Sequence, residues 1–173
     1  MADQHSKFLV RLSKSRRAVF RVGEWLNYRG HDLFIPATTF APTASAASKH
    51  IDKGDIRIIS KDYGVPDHVI EVKHTQVEFT CENDYPHECP IVSSMASVER
   101  NRGNVWAYIV LSEDMKFGIV MRAKFSEHWF PRKIRAGNTG NLEDFYMCPM
   151  PYADFLSIEV DQSGGAEYGL HPM

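Results

Sequence analysis

Two short apolar runs separated by a turn-forming stretch limit the fold of this chain more than any other feature. Gly54-Asp55-Ile56-Arg57-Ile58-Ile59 and His68-Val69-Ile70-Glu71-Val72-Lys73 flank the turn-rich residues 61–67. Successive side chains on a strand point to opposite faces, so the pattern predicts a β-hairpin. Pairing Ser60 with His68 sets Ile58 opposite Ile70, Ile56 opposite Val72 and Asp55 opposite Lys73. One face is then Ile56, Ile58, Ile70 and Val72, and the other is Asp55, Arg57, Glu71 and Lys73. A slip by one residue would mix the two sets. In this register Asp55 and Glu71 are diagonal neighbours, roughly 7–8 Å apart, within reach of a shared ion. The bland alternative is a solvated face of surface ion pairs. A strand as apolar as Val69-Ile70-Val72 argues instead for burial in a sheet, where a charge needs a partner or a metal.

The chain's 173 residues suit one domain with its own core. No apolar run is long enough to span a membrane, and Met1-Ala2-Asp3-Gln4-His5 lacks the apolar segment of a signal peptide. Cys81, Cys89 and Cys148 are an odd number in a chain with no export signal. They read as reduced thiols in a cytoplasmic, intracellular setting. The net charge of −2 hides an asymmetry. Lys7, Arg11, Lys14, Arg16, Arg17, Arg21 and Arg29 crowd the first thirty residues, whereas only acidic charges follow Arg135. Such a basic end allows a local phosphate-binding face, although basic helix faces are usually just solvated.

Residues 6–29 read as one helix or two, with Phe8, Leu12, Val19, Val22 and Leu26 near helical spacing and Gly30 as a stop. A first strand is expected between His31 and Phe40, limited by Pro36, then a small-residue loop over 41–53. The second hairpin strand is expected to run on through Val77 and Phe79. Residues 81–90 form a turn-rich excursion, 91–102 a short helix, and Val105–Leu111 and Phe117–Met121 two strands. His128-Trp129-Phe130-Pro131-Arg132-Lys133 is an aromatic and basic cluster. A loop follows at 136–141, then a mixed stretch broken by Pro149 and Pro151. The expected organisation is a single domain over 1–160 with a flexible acidic tail over 161–173. The element order implies an α/β sandwich around a mixed central sheet.

On these residues the chain resembles the PD-(D/E)XK nuclease superfamily. Its core is a helix carrying an acidic residue, three strands, a helix and a further strand, with an Asp on the second strand and an (Asp/Glu)-x-Lys on the third. The matching positions are Glu24, Asp55 and Glu71-Val72-Lys73, within roughly residues 15–111. Gly54-Asp55-Ile56 followed by Ile70-Glu71-Val72-Lys73-His74 looks especially like archaeal Holliday junction resolvases and small homing or restriction endonucleases. Pro66-Asp67 spells the family's nominal dipeptide. However, Asp67 stands four residues from Glu71, about 13 Å along a strand at ~3.3 Å per residue. That is too far to share one ion, so Asp55 is preferred and Pro66-Asp67 are read as turn residues.

The resemblance implies a restriction-endonuclease-like α/β/α core and metal-dependent hydrolysis of DNA phosphodiesters. Asp55 and Glu71 would ligate Mg2+ or Mn2+ together with a carbonyl near Val72. Lys73 would orient the attacking water or stabilise developing charge, and Glu24 would contact the metal through water or hold Lys73. Arg16, Arg17 and Arg21, with His74, Gln76, Arg132 and Lys133, are the candidate DNA contacts. A homodimer is expected if the chain is a junction resolvase or cuts palindromes. Two readings from other classes stand beside this one. The first is a non-catalytic nucleic-acid-binding protein on the same fold. The second is a zinc-stabilised interaction module built on Cys81, His87 and Cys89 with Cys148 or His74, although Cys-x5-His-x-Cys is not a common zinc spacing.

Overall fold

The computed structural model describes residues 2–37, 54–62, 64–135 and 141–160, with 2–12 by backbone alone. The N-terminal segment forms a single helix, α1, over Ala2–Tyr28. Ala18, Val19, Val22, Trp25 and Leu26 make its buried stripe. Gly30 stops it at φ +83°. The His31 N–H reaches back to the Leu26 carbonyl and the Gly30 N–H to that of Asn27, closing a Schellman-type end.

The strands that follow are β1 (Leu33–Phe34), β2 (Ile56–Ile58), β3 (His68–His74), β4 (Ile91–Ser94), β5 (Val105–Leu111), β6 (Phe117–Arg122), β7 (Phe130–Arg135), β8 (Leu142–Met147) and β9 (Ala153–Ser157), with helix α2 (Met95–Arg100) between β4 and β5. A six-stranded sheet has the order β1-β2-β3-β5-β6-β9, and β4, β8 and β7 form a second sheet. In the large sheet β3 and β5 run parallel while the other pairs are antiparallel. The protein is therefore mixed α/β with a mixed central sheet. No helix among the described residues is long and apolar enough to cross a membrane.

Alternation along the strands divides the core in two. Ile56, Ile58, Ile70, Val72, Ala107, Ile109 and Leu111 pack under α1. Val105, Tyr108, Val110, Ile119 and Met121 face the other way, against Phe79, Val92, Val98, Trp129 and Cys148. The apolar face read from the hairpin is thus the one α1 covers.

Several expectations need correction. The hairpin register is Ile56↔Ile70 and Ile58↔His68, two residues away from the anticipated pairing. An even slide keeps every side chain on its face, so the alternation could not choose between the two. Strand β3 stops at His74, and Val77 and Phe79 belong to the connection beyond it. Residues 91–94 are strand rather than helix, because Ser94 caps α2 by accepting the Ser97 N–H. The basic cluster at 130–135 and the stretch at 142–147 pair as antiparallel strands, with Lys133 opposite Asp144. The loop at 41–53, most of that at 136–141 and the tail from 161 lie outside the described residues.

Two local devices yield direct tests. Gly54 precedes β2 at φ +84°, and a Cβ there would overlap the Val69 side chain. Gly54→Ala should therefore cost about 2 kcal/mol or more in urea unfolding, from the left-handed backbone and the overlap together; an unchanged midpoint would contradict this geometry. In the connection after β3, Asp84 accepts hydrogen bonds from the Thr80 hydroxyl and the Thr80 and Cys81 N–H groups. The Thr80 hydroxyl first, then the N–H groups, lower its pKa from 3.8 to about 2. A depressed carboxyl stabilises the fold above its unfolded pKa and loses that contribution as pH falls through the folded value. Parent and Asp84→Ala stabilities should therefore differ at neutral pH and converge between about pH 4 and pH 2.

Candidate active site

The site is built where β2 begins. Gly54 turns the chain, and Asp55 enters beside β3 with its N–H on the Ile70 carbonyl at 3.0 Å. Its side chain turns to the same strand, where Oδ2 accepts the Val72 N–H at 2.7 Å. The backbone of β2 leaves the ladder here, and a carboxylate oxygen takes over as acceptor. Asp55 is thereby seated at Ile70–Val72 and next to Glu71, rather than opposite Lys73.

Glu71 points away from α1, and only 4% of its surface is exposed. It pairs across the parallel ladder with Tyr108. Burial first, and the Glu71 charge second, push the Tyr108 hydroxyl up to about 12. Lys73 follows two residues on, on the same face, opposite Val110. Asp55, Glu71 and Lys73 thus come together along one strip of the sheet.

Beside the strip lies a cleft of about 890 Å3, walled by the start of β3 and β5, the α2–β5 turn and residues 123–129, with Tyr146 of β8 at its margin. Gly54, Val69 and Tyr108, neighbours of Asp55 and Glu71, line it. So do Arg57, Arg100, Arg102 and Lys124, with Asp67 as the sole acidic residue of the lining. Asp67 lies just before β3, and its Oδ1 accepts the Ser60 N–H at 3.1 Å. It closes the hairpin turn, as the choice of Asp55 over Asp67 requires.

The remaining candidates are dispersed. Glu24 sits on the α1 side of the sheet, 2.9 Å from Arg21. It lines a groove with Arg17, Asp114 and Lys116. Arg16 stacks over Phe20 on that helix. Glu24 and the three arginines therefore stand across the sheet from Asp55. A helix stripe read from sequence shows which residues share a side, but not how far the helix end reaches around the sheet. His74 ends β3 and donates from Nε2 to the Glu113 carbonyl at 3.0 Å. Gln76 is exposed beyond it. Arg132 and Lys133 lie on β7 in the second sheet, Arg132 at 3.9 Å from Glu88.

Cys89 and Cys148 are buried free thiols, and Cys148 is raised to about 11, chiefly by burial. Cys81 is exposed. Among the described residues no group of three or more His, Cys, Asp or Glu comes together to hold a metal ion, so the zinc set is not assembled. The donor set at Asp55 and Glu71 is instead two carboxylates. Mg2+ keeps several waters and is commonly bound through one or two carboxylates. These residues fit a hard divalent cation and do not fit structural zinc, which takes four protein ligands.

Sequence reading passed over the cleft residues Arg100, Trp106 and Lys124. Their only shared signal is basic and aromatic chemistry at separate places in the chain. No family model matches this chain, and no curated protein or solved structure matches it either.

Asp55 carries a structural duty that can be measured apart from any chemistry. Asp55→Ala leaves the Val72 N–H without its acceptor and should cost about 1–3 kcal/mol in urea unfolding. Asp55→Asn keeps an oxygen acceptor and should stay near the parent. Equal losses in the two variants would show that the carboxylate charge, not the hydrogen bond, holds the strand.

Proposed function

We propose that the protein is a metal-dependent nuclease of the PD-(D/E)XK type that hydrolyses DNA phosphodiester bonds on the strip formed by Asp55, Glu71 and Lys73. The observation that carries this reading is the docking of Asp55 on Val72, which seats the carboxylate against the Glu71-Val72-Lys73 run of the neighbouring strand. The element order supports it: helix, three strands, a short helix and a strand parallel to the third. The inserted strand β4 and the remote Glu24 are departures from that core.

Asp55 and Glu71 would supply the oxygen ligands to the cation. A divalent cation bound there polarises the scissile phosphate and lowers the pKa of a coordinated water. Glu71 is nearly excluded from solvent, and there the low dielectric would strengthen the attraction between its carboxylate and a bound cation. Lys73 lies one strand repeat further and directs its ammonium at the attacking water or at the charge developing on the phosphate.

A cleavage assay with Mg2+ or Mn2+ on plasmid, linear duplex, single-stranded and four-way-junction DNA tests the assignment. Cutting should require the metal and fall by about 10²-fold or more in Lys73→Ala. Asp55→Asn, whose fold is kept by its amide oxygen, should lose cutting comparably. Equal cutting by parent and both variants would refute the site. Metal-independent tight binding without cutting on any substrate would favour the non-catalytic nucleic-acid-binding reading.

A further inference from the structure

The cleft beside the strip holds three cations that no carboxylate among the described residues neutralises. Arg57 stands on β2 two residues from Asp55 and shares the face of Val69 and Glu71. Its Nε is buried and makes no hydrogen bond among the described residues. The ion pairs among the described residues engage Arg102, which sits 2.7 Å from Glu99, and leave out Arg57, Arg100 and Lys124. Arg57, Arg100 and Lys124, none of them in an ion pair among the described residues although Lys124 lies over the Phe125 ring at 5.0 Å, share one concavity with one carboxylate and make a local field suited to phosphate.

The same cleft runs around the end of the sheet to a flat aromatic stack on the α1 side, where His68 shares the face of Ile70 and Trp106 packs against the α1-side core. In the parallel ladder Val69 pairs with Val105 and Ile70 with Ala107, so Trp106 is the extra residue of a bulge. Bulges re-aim a side chain, and here the half-buried Trp106 stacks on His68 with ring centres 5.0 Å apart and 26° between planes. His68 is exposed, so the stack is open to a third ring. Both rings line the cleft with the three cations. A planar base that continues the stack, with phosphates on either side, satisfies both features at once. A base inside a duplex is already stacked on its neighbours and cannot offer its face.

We infer that this cleft receives an unpaired nucleotide of a single-stranded segment, its base on the His68–Trp106 stack and its flanking phosphates on Arg57, Arg100 and Lys124. The inference deepens the nuclease reading and rests on it for the position of the scissile bond, which would lie at Glu71, three residues along β3 from His68 and on the other face of the strand. Substrates with single-stranded or branched character follow as the preferred class.

Binding is measured by anisotropy of a labelled oligothymidylate in EDTA, so that no chemistry intervenes, with intrinsic tryptophan emission followed in parallel. Trp106 and Trp129 both line the cleft, Trp106 half-buried and Trp129 7% exposed, so Trp106 is the more accessible reporter of the two. The strand should quench emission. Trp106→Phe should remove most of the quenching, the remainder coming from Trp129, and, with His68→Ala, weaken binding about 5- to 100-fold. Arg57→Gln and Lys124→Gln should each lower the salt dependence of binding by about 0.7 in log–log slope. A strand with an abasic site should bind more weakly than its intact counterpart, blunt duplex more weakly than single strand, and thymidine monophosphate should compete poorly. Duplex bound as tightly as single strand, or parental affinity in both Trp106→Phe and His68→Ala, would overturn the inference. A strong competition by the mononucleotide would also overturn it, since the cleft would then be a free-nucleotide site. Asp55→Asn run beside these separates the two readings. If it cuts like the parent while the cleft variants lose binding, the nuclease site fails and the cleft stands. If it loses cutting while the cleft variants bind normally, the reverse holds.

Discussion

Strand β3 runs parallel to β5, and two parallel neighbours cannot be joined by a hairpin. Between His74 and Val105 the chain has to return from one end of the sheet to the other. That return carries β4 and α2 across the face opposite α1, and the β5–α2 junction forms one wall of the cleft. Because β5 is then sandwiched between β3 and β6, it is the most continuously buried strand of the large sheet. Glu71 is buried for the same reason: its strand lies inside the sheet, not at an edge, with Tyr108 beside it. Both the burial of the carboxylate and the concavity next to it follow from one pairing choice.

The hairpin strip shows what sequence can and cannot specify. Ile56, Ile58, Ile70 and Val72 were legible as one face because burial imposes a period of two on the strand. The register was not legible, because a slide of two residues preserves that period. Gly54 and Asp55 decide it: the glycine turns the chain where a side chain would meet Val69, and the carboxylate then finds the Val72 N–H. Neither contact leaves a periodic trace. Ile91-Val92 illustrate a different limit. Their β-branched chemistry belongs to a strand, but the serine-rich residues that follow begin a helix, and a single window blurs the two. Trp106 was unreadable for a third reason, since a bulge exists only as a relation between two strands.

The candidate site was partly legible. Asp55, Glu71 and Lys73 were named from spacing and do meet on one strip. Glu24 and the arginines of α1 were named from their place on a helix, and the helix lies across the sheet. The aromatic and basic residues of the cleft come from five separate segments, which only the tertiary structure brings together.

Asp55 has one duty inside the sheet, where Oδ2 accepts the Val72 N–H, and a second in the proposed metal site. An amide in its place can serve the first purpose and not the second. Under the proposed function, a descendant of this chain could therefore abandon hydrolysis by a single amidation-like change of that residue while its sheet stayed intact and its basic cleft unaltered. On the same proposal the passage from cutting enzyme to pure binder would be short, and an asparagine at this turn would be its mark.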